Sequence, residues 1–221
     1  MASRIRDILT IAVVALLSTM GVRAVAQEYY APFMLEEREQ SLVSTEWSAG
    51  LGGVYTGVGS LSSKDVVLNT RLGFQGRLNM GLTVGRYFGV ESGLIFEKGG
   101  IDAEYRGRRY DITTTAFEMP LLLSLRLWDG VLRANAGVQF GLISNGGYLD
   151  GKESYMFGTV TPTWNFATGL GLRVMPNVIV ELRYSHALQD GVNQLGATDK
   201  GAGLDFTTRT HKVMLGVSLI L

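Results

Sequence analysis

Ser185 and His186 are adjacent in this sequence and Asp190 follows, so a hydrolytic triad is the first chemistry to weigh. A nucleophile and its base must lie within hydrogen-bond reach, whereas neighbours on an extended strand point to opposite faces. On a strand this pair cannot act together, so no catalytic residue is assigned and no enzyme is expected. The only two histidines, His186 and His211, fall near the ends of apolar segments. Two imidazoles can hold a metal or a lipid phosphate, but at such positions they read better as interfacial side chains. No metal or cofactor is assigned. The glycine pairs Gly50-x-Gly52 and Gly169-x-Gly171 do not lead from a strand into a helix, so they are not phosphate loops. They read as small residues that make room for bulky neighbours.

The strongest constellation is a set of charged residues: Arg71, Arg77, Glu91, Glu97, Glu118, Arg126, Arg133, Arg173, Glu181 and Arg183. Arginine and carboxylate side chains collected on one face form charge-assisted hydrogen bonds if something brings them together. That requirement turns attention to the elements that carry them.

Residues 1–26 have the form of a signal peptide. Arg4 and Arg6 precede the apolar run Ile8 to Met20, and Ala24-Val25-Ala26 forms a small-x-small site before Gln27. The run is short of the roughly 20 apolar residues that a membrane helix needs. Without these residues, two more acidic than basic side chains remain, which excludes the basic surface of a nucleic-acid-binding domain. The chain has no cysteine, hence no disulfide framework and no lipid-attachment site.

Residues 27–46, with Glu36-Glu37-Arg38-Glu39, read as a periplasmic N-terminal extension. From 47 to 221 the texture changes to segments with period-two alternation, near 47–57, 69–82, 87–98, 111–127, 131–144, 162–174, 178–189 and 209–221. Short connections at Val84-Gly85-Arg86, Trp128-Asp129-Gly130 and Met175-Pro176-Asn177 alternate with long ones at 58–68, 99–110, 145–161 and 190–208. This pattern predicts an all-β fold: an eight-stranded antiparallel up-and-down transmembrane β-barrel, with short turns in the periplasm and long loops outside.

The two faces of each segment support a membrane barrel over a soluble one. Phe117, Met119, Leu121, Leu123, Leu125 and Leu127 alternate with Glu118, Pro120, Leu122, Ser124 and Arg126. Aromatics at Trp47, Phe88, Phe96, Phe117, Phe140, Trp164 and Tyr184, with Trp128 in a turn, suit interfacial girdles. The charged set then lies in the lumen. There, Glu181 is expected opposite Gly171 and within reach of Arg173, and Arg126 and Arg133 need a carboxylate such as Glu118 or Glu181 between them. Eight strands leave an interior just wide enough for side chains, so the network reads as a cross-braced plug rather than a polar pathway.

Several stretches resemble the PorT-like outer-membrane β-barrel domain family: Leu94-Ile95-Phe96-Glu97-Lys98-Gly99-Gly100, Phe117-Glu118-Met119-Pro120-Leu121-Leu122-Leu123, Ala136-Gly137-Val138, Gly169-Leu170-Gly171 and Glu181-Leu182-Arg183-Tyr184-Ser185-His186-Ala187-Leu188. Their order spans about 47 to 221. The resemblance implies an eight-stranded outer-membrane barrel, and one branch of that family serves secretion or gliding machinery. Leu221 stands where such barrels most often end in an aromatic. The expected role is structural or interactive, with loops around 145–151 and 193–205 as contact surfaces. Expected partners are outer-membrane lipid and lipopolysaccharide, the barrel assembly machinery during insertion, and an envelope protein, with no nucleic acid. A narrow channel and a lipid-modifying enzyme are the alternatives.

Overall fold

The computed structural model describes residues 43–61, 63, 65–150, 153–157, 163–198 and 203–221. The expected signal peptide and residues 27–42 of the expected extension lie outside them. The strands are β1 (Val43–Leu61), β2 (Val66–Val84), β3 (Phe88–Tyr105), β4 (Arg108–Leu127), β5 (Leu132–Asp150), β6 (Glu153–Phe157), β7 (Thr163–Met175), β8 (Val178–Ala187), β9 (Gly191–Thr198) and β10 (Leu204–Ile220). All pairings are antiparallel, and β10 closes the ring on β1 from Ser48↔Ile220 to Leu61↔Thr208.

Ten strands make eight staves because two staves are each shared by two strands. β5 pairs with β7 along Leu132–Gly141 and with β6 along Gly146–Asp150. β10 pairs with β8 along His211–Leu219 and with β9 along Leu204–Thr208. β6 continues the β7 stave and β9 continues the β8 stave, so the barrel is the eight-stranded up-and-down closure that the alternation predicts.

The long connections differ from expectation. Most of residues 58–61, 99–105, 145–150, 153–157 and 191–198 are strand, so the wall rises well beyond the apolar band instead of giving way to irregular loops. β3 and β4 meet in the two-residue turn Arg106-Gly107, with φ of 51° and 74°. Two left-handed residues match the twist of the flanking strands. This turn chemistry was hidden by an arginine at a position that usually carries Asn or Asp. At the other end the short turns fall where expected, with left-handed Gly85, Trp128, Asp129 and Gly130.

Alternation sets the faces. Leu122 is 1% exposed while its neighbour Leu123 is 72% exposed, and Leu121, Met119 and Phe117 share the outward face. On β2 the outward row runs from Phe74 through Leu78, Met80 and Leu82 to Val84. Ten residue steps at about 3.3 Å and a tilt of about 40° give a band about 25 Å tall, the height of an outer-membrane belt. Aromatics edge it: Phe74, Phe96 and Phe117 stack across β2, β3 and β4 with centroids 5.9 and 5.0 Å apart, and Phe140 meets Trp164 at 4.3 Å. Trp47, Phe88 and Trp128 mark the opposite edge.

Candidate functional site

The interior is built in layers, starting at the short-turn end. Glu46 projects inward from β1, and three guanidinium groups converge on it: Arg133 at 2.8 Å through Nη2, Arg173 at 3.3 Å and Arg126 at 3.7 Å. Arg126 and Arg133 are direct partners across the β4–β5 turn, so like charges face each other and a carboxylate must lie between them. That carboxylate is Glu46, not Glu118 or Glu181. Sequence analysis missed Glu46 by assigning it to the extension, whereas β1 begins at Val43 and pairs with β2 from Val43↔Val84.

The next layer joins Arg77, Glu181, Arg183 and Glu91. Arg77, whose side chain is 1% exposed, meets Glu181 at 2.5 Å and donates to Ser218 Oγ at 2.9 Å. Arg183 lies 3.2 Å from Glu181 and 3.9 Å from Glu91, which also accepts from Ser124 and Asn135 at 2.7 and 3.2 Å. Glu181 does oppose Gly171, as expected, but its partners are Arg77 and Arg183, while Arg173 turns to Glu46. Above them Lys212 bridges Glu97 at 2.9 Å and Glu118 at 3.1 Å, with Gln139 donating to Glu118 and Gln75 to Glu97. Lys212 is the second residue left out of the expected network, because the inward face of β10 is mostly Met, Gly and Ser.

Arg71 is the one member of the expected network that is not in the lumen. A bulge between Arg71 and Phe74 shifts the phase of β2 by one residue. The alternation that carries Arg77 and Gln75 inward therefore carries Arg71 outward, where it pairs with Asp111 and with Asp102 at 3.5 Å. Arg109 joins the same exterior cluster at 3.6 Å from Asp102.

Inward glycines make room for these side chains. A Cβ on Gly50 would collide with Ser218 Oγ and come within 2.9 Å of Arg77 Nε, and one on Gly169 would come within 2.7 Å of Asn135 Oδ1. Beyond the Lys212 layer lies a cavity of about 90 Å³ with walls including Thr56, Thr114, Thr163 and Thr210. An apolar cluster of Val66, Ile101, Ala103, Tyr110, Ile112, Leu195 and Phe206 fills the raised end of the barrel.

Ser185 and His186 lie on opposite faces, Ser185 beside inward Lys212 and His186 beside His211 across the β8–β10 ladder. Asp190 pairs with Arg209 at 2.9 Å. The three do not assemble into a triad. His186 and His211 are direct partners on the outer face, with Tyr184 6.5 Å from the His211 ring.

A closed eight-staved ring with an apolar exterior, aromatic edges and a charged lumen defines a membrane β-barrel, because a closed sheet satisfies its own backbone in lipid. A family model described as outer membrane protein beta-barrel domain matches residues 37–192, and the chain belongs to that family. It is an outer-membrane β-barrel protein. No curated protein matches the chain. Among solved structures, it is similar to the outer membrane protein OprG from Pseudomonas aeruginosa, at 11% identity and a TM-score of 0.52, covering 80% of this chain and 96% of that one. It is also similar to the outer membrane protein AlkL, determined in DMPC lipid bilayers, at 13% identity and a TM-score of 0.51, covering 83% and 93%. At such identities the likeness is one of fold. The Glu46 layer lies at the short-turn end, the end that faces the periplasm in bacterial barrels generally, and the apolar cluster lies at the opposite end.

Proposed function

We propose that this barrel is a non-conducting structural and interaction protein, which displays its raised hairpin wall outward and residues 27–42 toward the periplasm, without catalysis. The observation that carries this reading is the filled lumen. Among the described residues, three ionic layers and an apolar cluster succeed one another along the axis, and two spaces between them, about 20 and 90 Å³, share no lining residue. At about 10–15 Å³ per water the smaller holds one or two waters and the larger a cluster of about six to nine, and the Arg77–Glu181 and Lys212 layers stand between the two. The 90 Å³ cavity is the one feature that favours a narrow channel as a second reading.

The exterior cluster of Arg71, Asp102, Asp111 and Arg109 stands above the aromatic edge, at the level of lipid headgroups, and supports contact with lipopolysaccharide. The fold class supports insertion by the barrel assembly machinery, and an envelope protein is the partner that the hairpin wall suits. Within the family, the order of the Phe117–Leu123 and Glu181–Leu188 stretches favours the PorT-like barrels. Processing after Ala26 accounts for export. The test is a pull-down from native outer membrane after gentle crosslinking. Recovery of one defined complex supports the interaction role, and repeated recovery of the barrel alone counts against it.

A further inference from the structure

The outer surface of β2, β3 and β4 changes character in three steps where the apolar band gives way to the raised wall. The lowest step is apolar. It consists of the stacked rings of Phe74, Phe96 and Phe117, with Leu72, 79% exposed, next to Phe74 on the same face of β2. The highest step is polar but neutral, because Arg71 and Arg109 are matched there by Asp102 and Asp111. Gly100 lets Arg71 lie flat against β3, since a Cβ there would come within 2.8 Å of Arg71 Nε and Nη2.

Lys98 occupies the step between. It follows inward Glu97, is exposed, and pairs in the ladder with Phe74 on one side and Thr115 on the other. Direct partners share a face, so the lysine stem rises from the ring row with the Thr115 hydroxyl beside it. Gly100, under the Arg71 guanidinium, stands two residues on, about 6.6 Å farther from the band. Among the described residues no carboxylate pairs with Lys98, whereas Arg71 and Arg109 are both paired. A lysine whose stem lies along apolar surface and whose ammonium is bare offers a point charge to phosphate.

We propose that Lys98 binds a phosphate of the lipid A portion of lipopolysaccharide, with acyl chain over Leu72 and the phenylalanine row and sugar over the Arg71 network. This rests on the reading that the outer cluster contacts lipopolysaccharide, and adds the residue that recognises it. The succession of apolar, cationic and neutral polar steps matches acyl chain, phosphate and sugar in a phosphorylated glycolipid. The neutral network offers both N–H donors and carboxylate acceptors, which suits hydroxyl groups. A phospholipid reaches the first two steps and leaves the third bare.

The test is native mass spectrometry of the refolded protein in detergent micelles, titrated with lipid A and with lipid A stripped of its phosphates. The parent should bind lipid A saturably. Removal of the phosphates and Lys98→Gln should each weaken binding about tenfold or more, as loss of one charge-assisted contact does. Lys98→Arg should retain it. Arg86→Gln, at the opposite edge of the barrel, should leave it unchanged. Lys98 is exposed, so Lys98→Gln should refold as the parent does, with the same β-sheet circular dichroism. Saturable binding that Lys98→Gln does not weaken overturns the Lys98 site and leaves the lipopolysaccharide contact standing. Absence of saturable binding by the parent overturns both. Displacement of lipid A by an equal concentration of phosphatidylglycerol overturns the assignment to a glycolipid.

Discussion

Glu181→Ala should be among the most damaging single substitutions in the lumen. The Glu181 carboxylate stands 2.5 Å from Arg77 and 3.2 Å from Arg183, and the Arg77 side chain is 1% exposed. Without it, Arg77 keeps only neutral partners, Ser218 Oγ at 2.9 and 3.2 Å and the Met214 thioether at 3.9 Å. Two buried guanidinium groups then face each other with Glu91, 3.9 Å from Arg183, as the one carboxylate left beside them among the described residues. Breaking a buried pair by removing one member costs about 3–5 kcal/mol. The matched control is Arg71→Ala in the exposed outer cluster, where an ion pair is worth no more than about 1 kcal/mol. Urea unfolding of protein refolded into phospholipid vesicles gives both values from the midpoints and slopes. Replacing the pair together, as Arg77→Met with Glu181→Leu, should recover most of the loss, because a packed apolar pair removes the stranded charge. If Glu181→Ala and Arg71→Ala cost the same to within about 0.5 kcal/mol, the lumen is too well hydrated for the layered account to hold.

Leu123→Arg on the outward face should cost about 2–4 kcal/mol near the bilayer midplane, whereas Ser124→Arg, inward beside Glu91, should be limited by volume alone; equal losses in vesicle unfolding would contradict the assigned faces. Gly50→Val should cost about 1–3 kcal/mol by overpacking, because its Cβ meets Val217 O at 2.9 Å, a backbone atom that cannot step aside. Phe206→Ala should remove about 3–5 kcal/mol of packing from the raised end. Since Phe206 is 2% exposed in a cluster outside the apolar band, limited proteolysis should cut the hairpin wall of that variant while the membrane-spanning part stays folded.

The barrel was legible in the sequence because a half-lipid, half-lumen strand imposes a strict period of two, and that period runs unbroken through β4, β8 and the second half of β10. It failed where the period is locally broken. A bulge at Arg71–Phe74 leaves no mark in residue types, so Arg71 was carried to the wrong face. The raised wall was hidden for a different reason. Above the lipid both faces are free to carry polar residues, so Gly, Ser, Asp and Asn there signal loops although the ladder continues through Gly146↔Phe157 and Phe206↔Asn193. Inward Val66, Ile101, Ile112 and Leu195 share one packed cluster, but they are scattered among polar neighbours and only the closed sheet brings them together. Glu46 shows the same limit for the site. Its role depends on which rim residues of two distant hairpins reach it, Arg126 and Arg133 from one and Arg173 from the other, and spacing along one strand does not encode that.

Planar-bilayer recording on the purified, refolded protein tests the filled lumen most directly. The account predicts a flat baseline from the parent under voltage and, for Glu181→Ala, an increase in leak if the variant inserts. Steady single-channel steps from the parent would contradict it, since no continuous water path is compatible with the Glu46, Arg77–Glu181 and Lys212 layers standing across the axis.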